Sequence, residues 1–373
     1  MPNINVLIKP ASGNCNMRCD YCFYYDTMSK REQPSYGIMK PETLEAVIKK
    51  VLEYAEDSCT IAYQGGEPTL CGLPFFRQSI EFQKKYNVHN VKIYNALQTN
   101  GYDLDEEWAR FFIEHDFLVG ISLDGTPKTH DYYRKDIKGQ GTFLKIMKNI
   151  ELFKRMGVEF NILSVVNSKT APAIKKNYEF YKKNDLHYLQ FISCLDPVGE
   201  EPGQKEYSLT PEVYGQFLID LFELWYADLQ QGKQPFIRQF ENYIAILLGR
   251  MPESCDMRGI CGMQYVVEAD GAVYPCDFYV MDDYRLGDLH TNTMEEIDEQ
   301  RKAIRFIEAS FQKEDGCDQC RYINLCRGGC RRSRESESRH QYFCNAYQIF
   351  FDKCLPELSA IAEYIRQYQD CRS

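Results

Sequence analysis

Short apolar runs rich in β-branched residues recur through the first half of the chain, at residues 5–9, 60–64, 91–98, 117–123, 158–166 and 188–195. Each has the length and composition of a strand buried on both faces. Amphipathic stretches separate them. In 41–55, Leu44, Val47, Ile48, Val51 and Leu52 share one helical face behind a proline suited to a first turn. Residues 74–86, 105–115, 143–156 and 172–184 read as helices for the same reason. Six strands alternating with helices predict a parallel α/β domain, open or closed into a partial barrel, with ligands at the carboxyl ends of the strands. Residues 196–208, DPVGEEPGQKEYS, read as a long loop, and 211–230 as a closing helix. From about Cys255 the alternation fades and cysteines crowd together, which predicts a second, metal-organised domain; the division adopted is 1–234 and 235–373, the latter ending in a helix.

Composition narrows the chemistry. With 373 residues and 44% hydrophobic positions the chain can bury a large core, and 54 acidic against 44 basic residues argue against nucleic acid as a partner. Residues 1–10, MPNINVLIKP, show no basic start followed by an apolar run, and no stretch reaches the length of a membrane span. The expectation is a cytoplasmic protein without a membrane partner, in which the 16 cysteines stay reduced and serve metal rather than disulfides. There is no dinucleotide or P-loop glycine motif, and the six histidines stand apart, so neither a zinc hydrolase nor a histidine triad is suggested.

After the first strand, Cys15, Cys19 and Cys22 form a C-x3-C-x2-C loop. Three thiolates can hold one cluster but leave one iron of a 4Fe-4S cube open, where a substrate or cofactor can bind. A structural zinc loop is the plainer reading of the triplet alone. The triplet, with Tyr21 before its last cysteine, resembles the signature of radical S-adenosylmethionine enzymes. Gly65-Gly66-Glu67-Pro68 after the second strand, Gln98-Thr99-Asn100-Gly101 and Ser122-Leu123-Asp124-Gly125 match further segments of that family in order. The resemblance implies a partial (β/α)6 barrel, a 4Fe-4S cluster on Cys15, Cys19 and Cys22, and S-adenosylmethionine lying against Tyr24, Gly66, Ser122, Arg134 and Leu195. The fifth strand, NILSVVN from Asn161, departs from the family's pattern.

The later cysteines are Cys255, Cys261, Cys276, then Cys317, Cys320, Cys326 and Cys330 at C-x2-C-x5-C-x3-C spacing, and Cys344. Spacing alone leaves zinc and iron-sulfur open. The whole array resembles the SPASM extension of radical S-adenosylmethionine enzymes that modify peptides. That resemblance implies two auxiliary 4Fe-4S clusters, one on Cys255, Cys261, Cys276 and Cys330, the other on Cys317, Cys320, Cys326 and Cys344, for three clusters in all. Arg321, Arg327, Arg331, Arg332 and Arg334 would offset the negative charge of such clusters. Cys59, Cys71, Cys194, Cys354 and Cys371 are left as ordinary small hydrophobes.

Within that class the chain resembles the anaerobic sulfatase-maturating enzymes nearly throughout, from LIKPASGNCNMRCDYCFYY to YPCDFYV around Cys276. The resemblance implies oxidation of a cysteine or serine in an unfolded sulfatase segment, of C-x-P-x-R type, to Cα-formylglycine. A 5'-deoxyadenosyl radical would remove a β-hydrogen, Asp277 would act as base, and the auxiliary clusters would accept an electron. An external flavodoxin- or ferredoxin-like donor is implied as well. The alternatives are another SPASM peptide-modifying enzyme that forms thioether or carbon-carbon crosslinks, and a noncatalytic zinc scaffold.

Overall fold

The computed structural model describes residues 4–335 and 339–370. Its strands, in chain order, are β1 (Ile4–Ile8), β2 (Met17–Cys19), β3 (Ser58–Tyr63), β4 (Lys92–Thr99), β5 (Phe117–Ser122), β6 (Arg134–Asp136), β7 (Phe160–Val166), β8 (Tyr188–Ser193), β9 (Phe236–Ile237), β10 (Tyr265–Val267), β11 (Ala272–Tyr274) and β12 (Gly287–Asp288). Two units divide them. The first comprises Met1–Leu123, Asp131–Asn161 and Met263–Phe306, and the second Asp124–His130, Ile162–Gly262 and Ile307–Ser373. Residues 263–306 thus lie with the N-terminal strands rather than with the later cysteines.

In the first unit β1, β3, β4 and β5 form a parallel ladder, with β1 also parallel to β10. β10 continues antiparallel through β11 to β12. Helices Pro41–Tyr54, Gly72–Tyr86, Glu106–Glu114 and Phe143–Met156 occupy the segments whose apolar spacing predicted them. Phe76 packs edge-on against Tyr63 and Trp108, and Leu7, Val266, Ala272, Tyr274 and Val280 make an apolar cluster beside β1. A short antiparallel pair, β2 with β6, sets Cys19 opposite Arg134.

The second unit holds β7 from Ile162 onward, parallel to β8, which is parallel to β9. Helix Pro211–Gln230 packs against the 27-residue helix Cys344–Asp370, and they cross so closely at Gly215 that a Cβ there would lie 3.1 Å from the Ala346 Cα. Trp225, Phe240 and Phe350 fill the space beside that crossing. Among the described residues no helix is long and apolar enough to cross a membrane.

The described cysteines are all free thiols. Cys59, Cys194 and Cys354 are buried, as small hydrophobes would be; Cys71 is half-buried, and Cys371 lies outside the described residues.

Candidate active site

Parallel pairing in register places neighbouring side chains on the same face of a ladder. Ile8 pairs with both Tyr63 and Val267, so the next residues, Lys9, Gln64 and Glu268, emerge together just past the carboxyl ends of β1, β3 and β10. Gln98 and Ser122 continue this polar edge at the ends of β4 and β5, where the Gln98 amide donates to Ser122 Oγ at 3.2 Å. An α/β sheet binds its ligands along such an edge.

Asp277 sits over this edge in the turn Asp277–Tyr279. Its Oδ2 accepts from the Tyr24 hydroxyl at 2.5 Å and from the Gln64 amide at 3.3 Å, and the same amide donates to Tyr24 Oη at 2.7 Å. Tyr24 comes from helix Phe23–Ser29, which starts immediately after Cys22. Burial pushes the Asp277 carboxyl above the ordinary range; Lys9 and Tyr24 pull it back, and Glu268 pushes it up again. Burial and the neighbouring Asp277 charge hold the Tyr24 phenol neutral.

The cysteine triplet lies between β1 and that helix, with Cys19 ending the short strand β2. Backbone N–H of Met17 and the Asn100 amide donate to Cys15 Sγ at 3.4 and 3.6 Å. Burial pushes the Cys15 thiol up to about 12, and Glu67 and Cys22 add to the rise. Three thiols on one tight loop, with two N–H donors aimed at a sulfur, suit a thiolate-ligated cluster, whose sulfurs take such hydrogen bonds.

The Gly65–Gly66 turn is built against this loop. Gly66 has φ +57°, and a Cβ on it would lie 2.2 Å from the Asn14 carbonyl oxygen, which already accepts from Glu67 N at 2.8 Å. Glycine is therefore required there for packing within the chain itself. Glu67 is fully buried. Its Oε1 accepts from Thr69 N, Thr69 Oγ1 and Thr99 Oγ1 at 3.1, 2.7 and 2.8 Å, and its Oε2 from Asn100 N at 2.7 Å. Glu67 thereby ties the turn after β3 to the end of β4, and through Asn100 to Cys15. Glu67→Ala would strand those donors. A loss of roughly 3 kcal/mol is expected in chemical denaturation, and a change below about 0.5 kcal/mol would show that the turn holds without it.

Arg134 is buried beside β2, its guanidinium 5.4 Å from the centre of the Tyr21 ring. The first unit thus brings together Cys15, Cys19, Cys22, Tyr24, Gly66, Ser122, Arg134, Cys276 and Asp277 on the loops around one strand edge. Leu195 belongs to the second unit, where it follows β8 and lines a cavity of about 650 Å³ with Asp196, Arg332 and Tyr342.

Also in the second unit, Cys326 is pushed up to about 11 by burial and further by Cys344, Cys317 and Cys320, while burial raises Cys344, and Cys317 and Cys320 add to the rise. Burial of its sulfur likewise raises the half-buried Cys330 to about 12, with Cys255 and Cys261 contributing. Cys276, expected as their fourth partner, lies in the first unit. Burial raises the Cys261 thiol, and Ser310 and the nearby Arg331 and Arg334 offset part of the rise. Arg334 is also buried, donating to the carbonyls of Gln312, Ser310 and Gly259, so it braces the cysteine-rich segment as well.

Lys9, Gln64, Glu268 and Asn100 were not singled out individually from sequence. Their signal was present only as polar residues ending apolar strands, and the pairing that gathers them spans more than 200 positions for Glu268.

The radical SAM superfamily profile matches residues 10–178, and the iron-sulfur cluster-binding SPASM domain matches 259–321. A cysteine-type anaerobic sulfatase-maturating enzyme of Clostridium novyi (strain NT) is 46% identical over 99% of this chain and 100% of its own. The chain belongs to the anaerobic sulfatase-maturating enzymes. A serine-type anaerobic sulfatase-maturating enzyme of Bacteroides thetaiotaomicron is 31% identical over 98% of this chain and 92% of its own. A solved structure of native anSMEcpe with bound AdoMet matches with a TM-score of 0.93 at 48% identity, covering 97% of this chain and 100% of that one. The fold class is that of the family, an α/β partial barrel followed by a cysteine-rich extension. Membership among the sulfatase-maturating enzymes makes this chain a radical S-adenosylmethionine oxidoreductase that uses S-adenosylmethionine and 4Fe-4S clusters.

Proposed function

We propose that this enzyme oxidises a cysteine in an unfolded sulfatase segment of C-x-P-x-R type to Cα-formylglycine, with Asp277 as the base. Cysteine is preferred to serine as target because the cysteine-type relative is 46% identical and the serine-type one 31%. The observation that best supports the reading is a buried carboxylate directly after Cys276, with Oδ2 held by Tyr24 and Gln64 and Oδ1 making no hydrogen bond and facing the Lys9 ammonium at 3.9 Å. A carboxylate fixed in place at the ligand-binding edge of the sheet is suited to act as a general base.

In this reading Cys15, Cys19 and Cys22 hold the first cluster. Tyr24, Gly66, Ser122, Arg134 and Leu195 hold S-adenosylmethionine. Cys255, Cys261, Cys276 and Cys330 hold one auxiliary cluster, and Cys317, Cys320, Cys326 and Cys344 the other. When bound, these groups supply a 5'-deoxyadenosyl radical that removes a β-hydrogen atom and an acceptor for the electron the substrate then gives up. The chain's own residues do the rest. Asp277 takes the thiol proton, and Tyr24 and Gln64 fix the carboxylate. Loss of the proton makes the β-carbon radical easier to oxidise, and hydrolysis of the resulting thioaldehyde yields the aldehyde.

The functional division into a barrel of 1–234 and a cluster-bearing 235–373, a cytoplasmic location and a flavodoxin- or ferredoxin-like donor belong to the same proposal. The test uses the reduced, anaerobically purified enzyme, S-adenosylmethionine and paired peptides carrying C-x-P-x-R or S-x-P-x-R. Faster formylglycine formation on the cysteine peptide is expected by mass spectrometry. Formation of 5'-deoxyadenosine with neither peptide modified would remove the substrate assignment and leave the radical chemistry standing.

A further inference from the structure

Behind Asp277 runs a row of buried charges for which the reaction above has no use. Lys9 is 2% exposed and Glu268 is inaccessible. The Lys9 ammonium stands 3.9 Å from Asp277 Oδ1 and 3.4 Å from Glu268 Oε1. On its far side, Glu268 Oε2 accepts from Ser12 Oγ at 2.5 Å and lies 3.4 Å from Arg31 Nη1. The signs alternate along the row from Asp277 through Lys9 and Glu268 to Arg31. A buried lysine at the end of an apolar strand is costly unless its charge is matched, and here two carboxylates match it.

Lys9 has little freedom to leave. Its stem lies under the turn after β3, where a Cβ on Gly65 would come within 2.8 Å of Lys9 Cγ and Cε. Its ammonium stands 4.5 Å from the centre of the Tyr24 ring, the same residue whose hydroxyl holds Asp277 Oδ2. Oδ1 of Asp277 and Oε1 of Glu268, the two oxygens that face Lys9, are buried without hydrogen-bond partners. Without the cation, two carboxylates would face each other across a dry gap, and the one on a short loop would turn away.

We propose that Lys9 is a positioning residue for Asp277, with Glu268, Arg31 and Ser12 fixing Lys9 in turn. Lys9 separates Asp277 from Glu268 and fixes the orientation of the Asp277 carboxylate. The proposal rests on the assignment of Asp277 as the base. A base must stand within hydrogen-bond reach of its proton, so a displacement of about 1 Å costs on the order of 100-fold in rate.

The test compares Lys9→Met, whose unbranched stem fits the same space, with the double variant Lys9→Met and Glu268→Gln, which removes both facing charges. Each is assayed as the full-length, cluster-reconstituted enzyme for thermal midpoint, peptide affinity at equilibrium, peptide KM, and formylglycine formed per 5'-deoxyadenosine. Lys9→Met is expected to lower kcat for formylglycine by about 100-fold, with peptide affinity and KM little changed and 5'-deoxyadenosine still formed. The double variant is expected to remain uncoupled. Wild-type coupling in the double variant would overturn the proposal, because Lys9 would then only neutralise Glu268. Should Lys9→Met alone fail to fold, the double variant decides the matter by itself. Asp277→Asn is run in parallel: if it keeps product formation, the base assignment falls and this proposal with it. An inactive Asp277→Asn beside a fully coupled double variant removes the proposal alone.

Discussion

Asp277→Asn is expected to separate the two halves of the reaction: 5'-deoxyadenosine still accumulates while formylglycine formation falls by about 1,000-fold. The amide keeps the shape of the carboxylate, and its oxygen can still accept from Tyr24, which now lies 2.5 Å from Oδ2. What it cannot do is take a proton at the second position. Because Asp277 is buried, no bulk water stands ready to replace it. Quantifying nucleoside and peptide products from the same anaerobic reaction gives the answer. A parallel fall in both would instead make Asp277 a structural residue of the turn that follows Cys276.

Replacing Cys15, Cys19 and Cys22 together with Ala is expected to abolish 5'-deoxyadenosine formation and to lower iron from about twelve to about eight atoms per chain. The fold should survive. The three thiols lie partly exposed on one loop, and none is in a disulfide. The eight cysteines proposed to hold the auxiliary clusters are untouched, so the spectrum of those clusters should persist. Unchanged iron content would move the first cluster elsewhere, and a preparation rich in zinc and poor in iron would point to the scaffold reading of the whole array.

The strands most legible in the sequence were those buried on both faces, since a short, continuous run of β-branched and apolar residues can be kept from water only between two covering layers. β1, β3, β4, β5, β7 and β8 fall within a few residues of the runs that predicted them. The short pieces were not legible. β2 and β10 are three residues each, too short to show a period, yet β2 carries Cys19 to its place opposite Arg134 and β10 brings Glu268 beside Lys9. The same shortness hid the pairing of β10 with β1, which draws residues 263–306 into the first unit although their cysteine suggests the second. Cysteine spacing was readable because metal chemistry is local in sequence. The Asp277 setting was not, since Gln64 and Lys9 reach it only through strand register.

The central claim is that a nucleoside radical takes a hydrogen atom from the β-carbon of the target cysteine and that Asp277 completes the oxidation. It is tested most directly with a C-x-P-x-R peptide deuterated at that β-carbon, by mass spectrometry of the 5'-deoxyadenosine formed. The account predicts 5'-deoxyadenosine carrying deuterium in step with formylglycine. Formylglycine accompanied by unlabelled 5'-deoxyadenosine would contradict it.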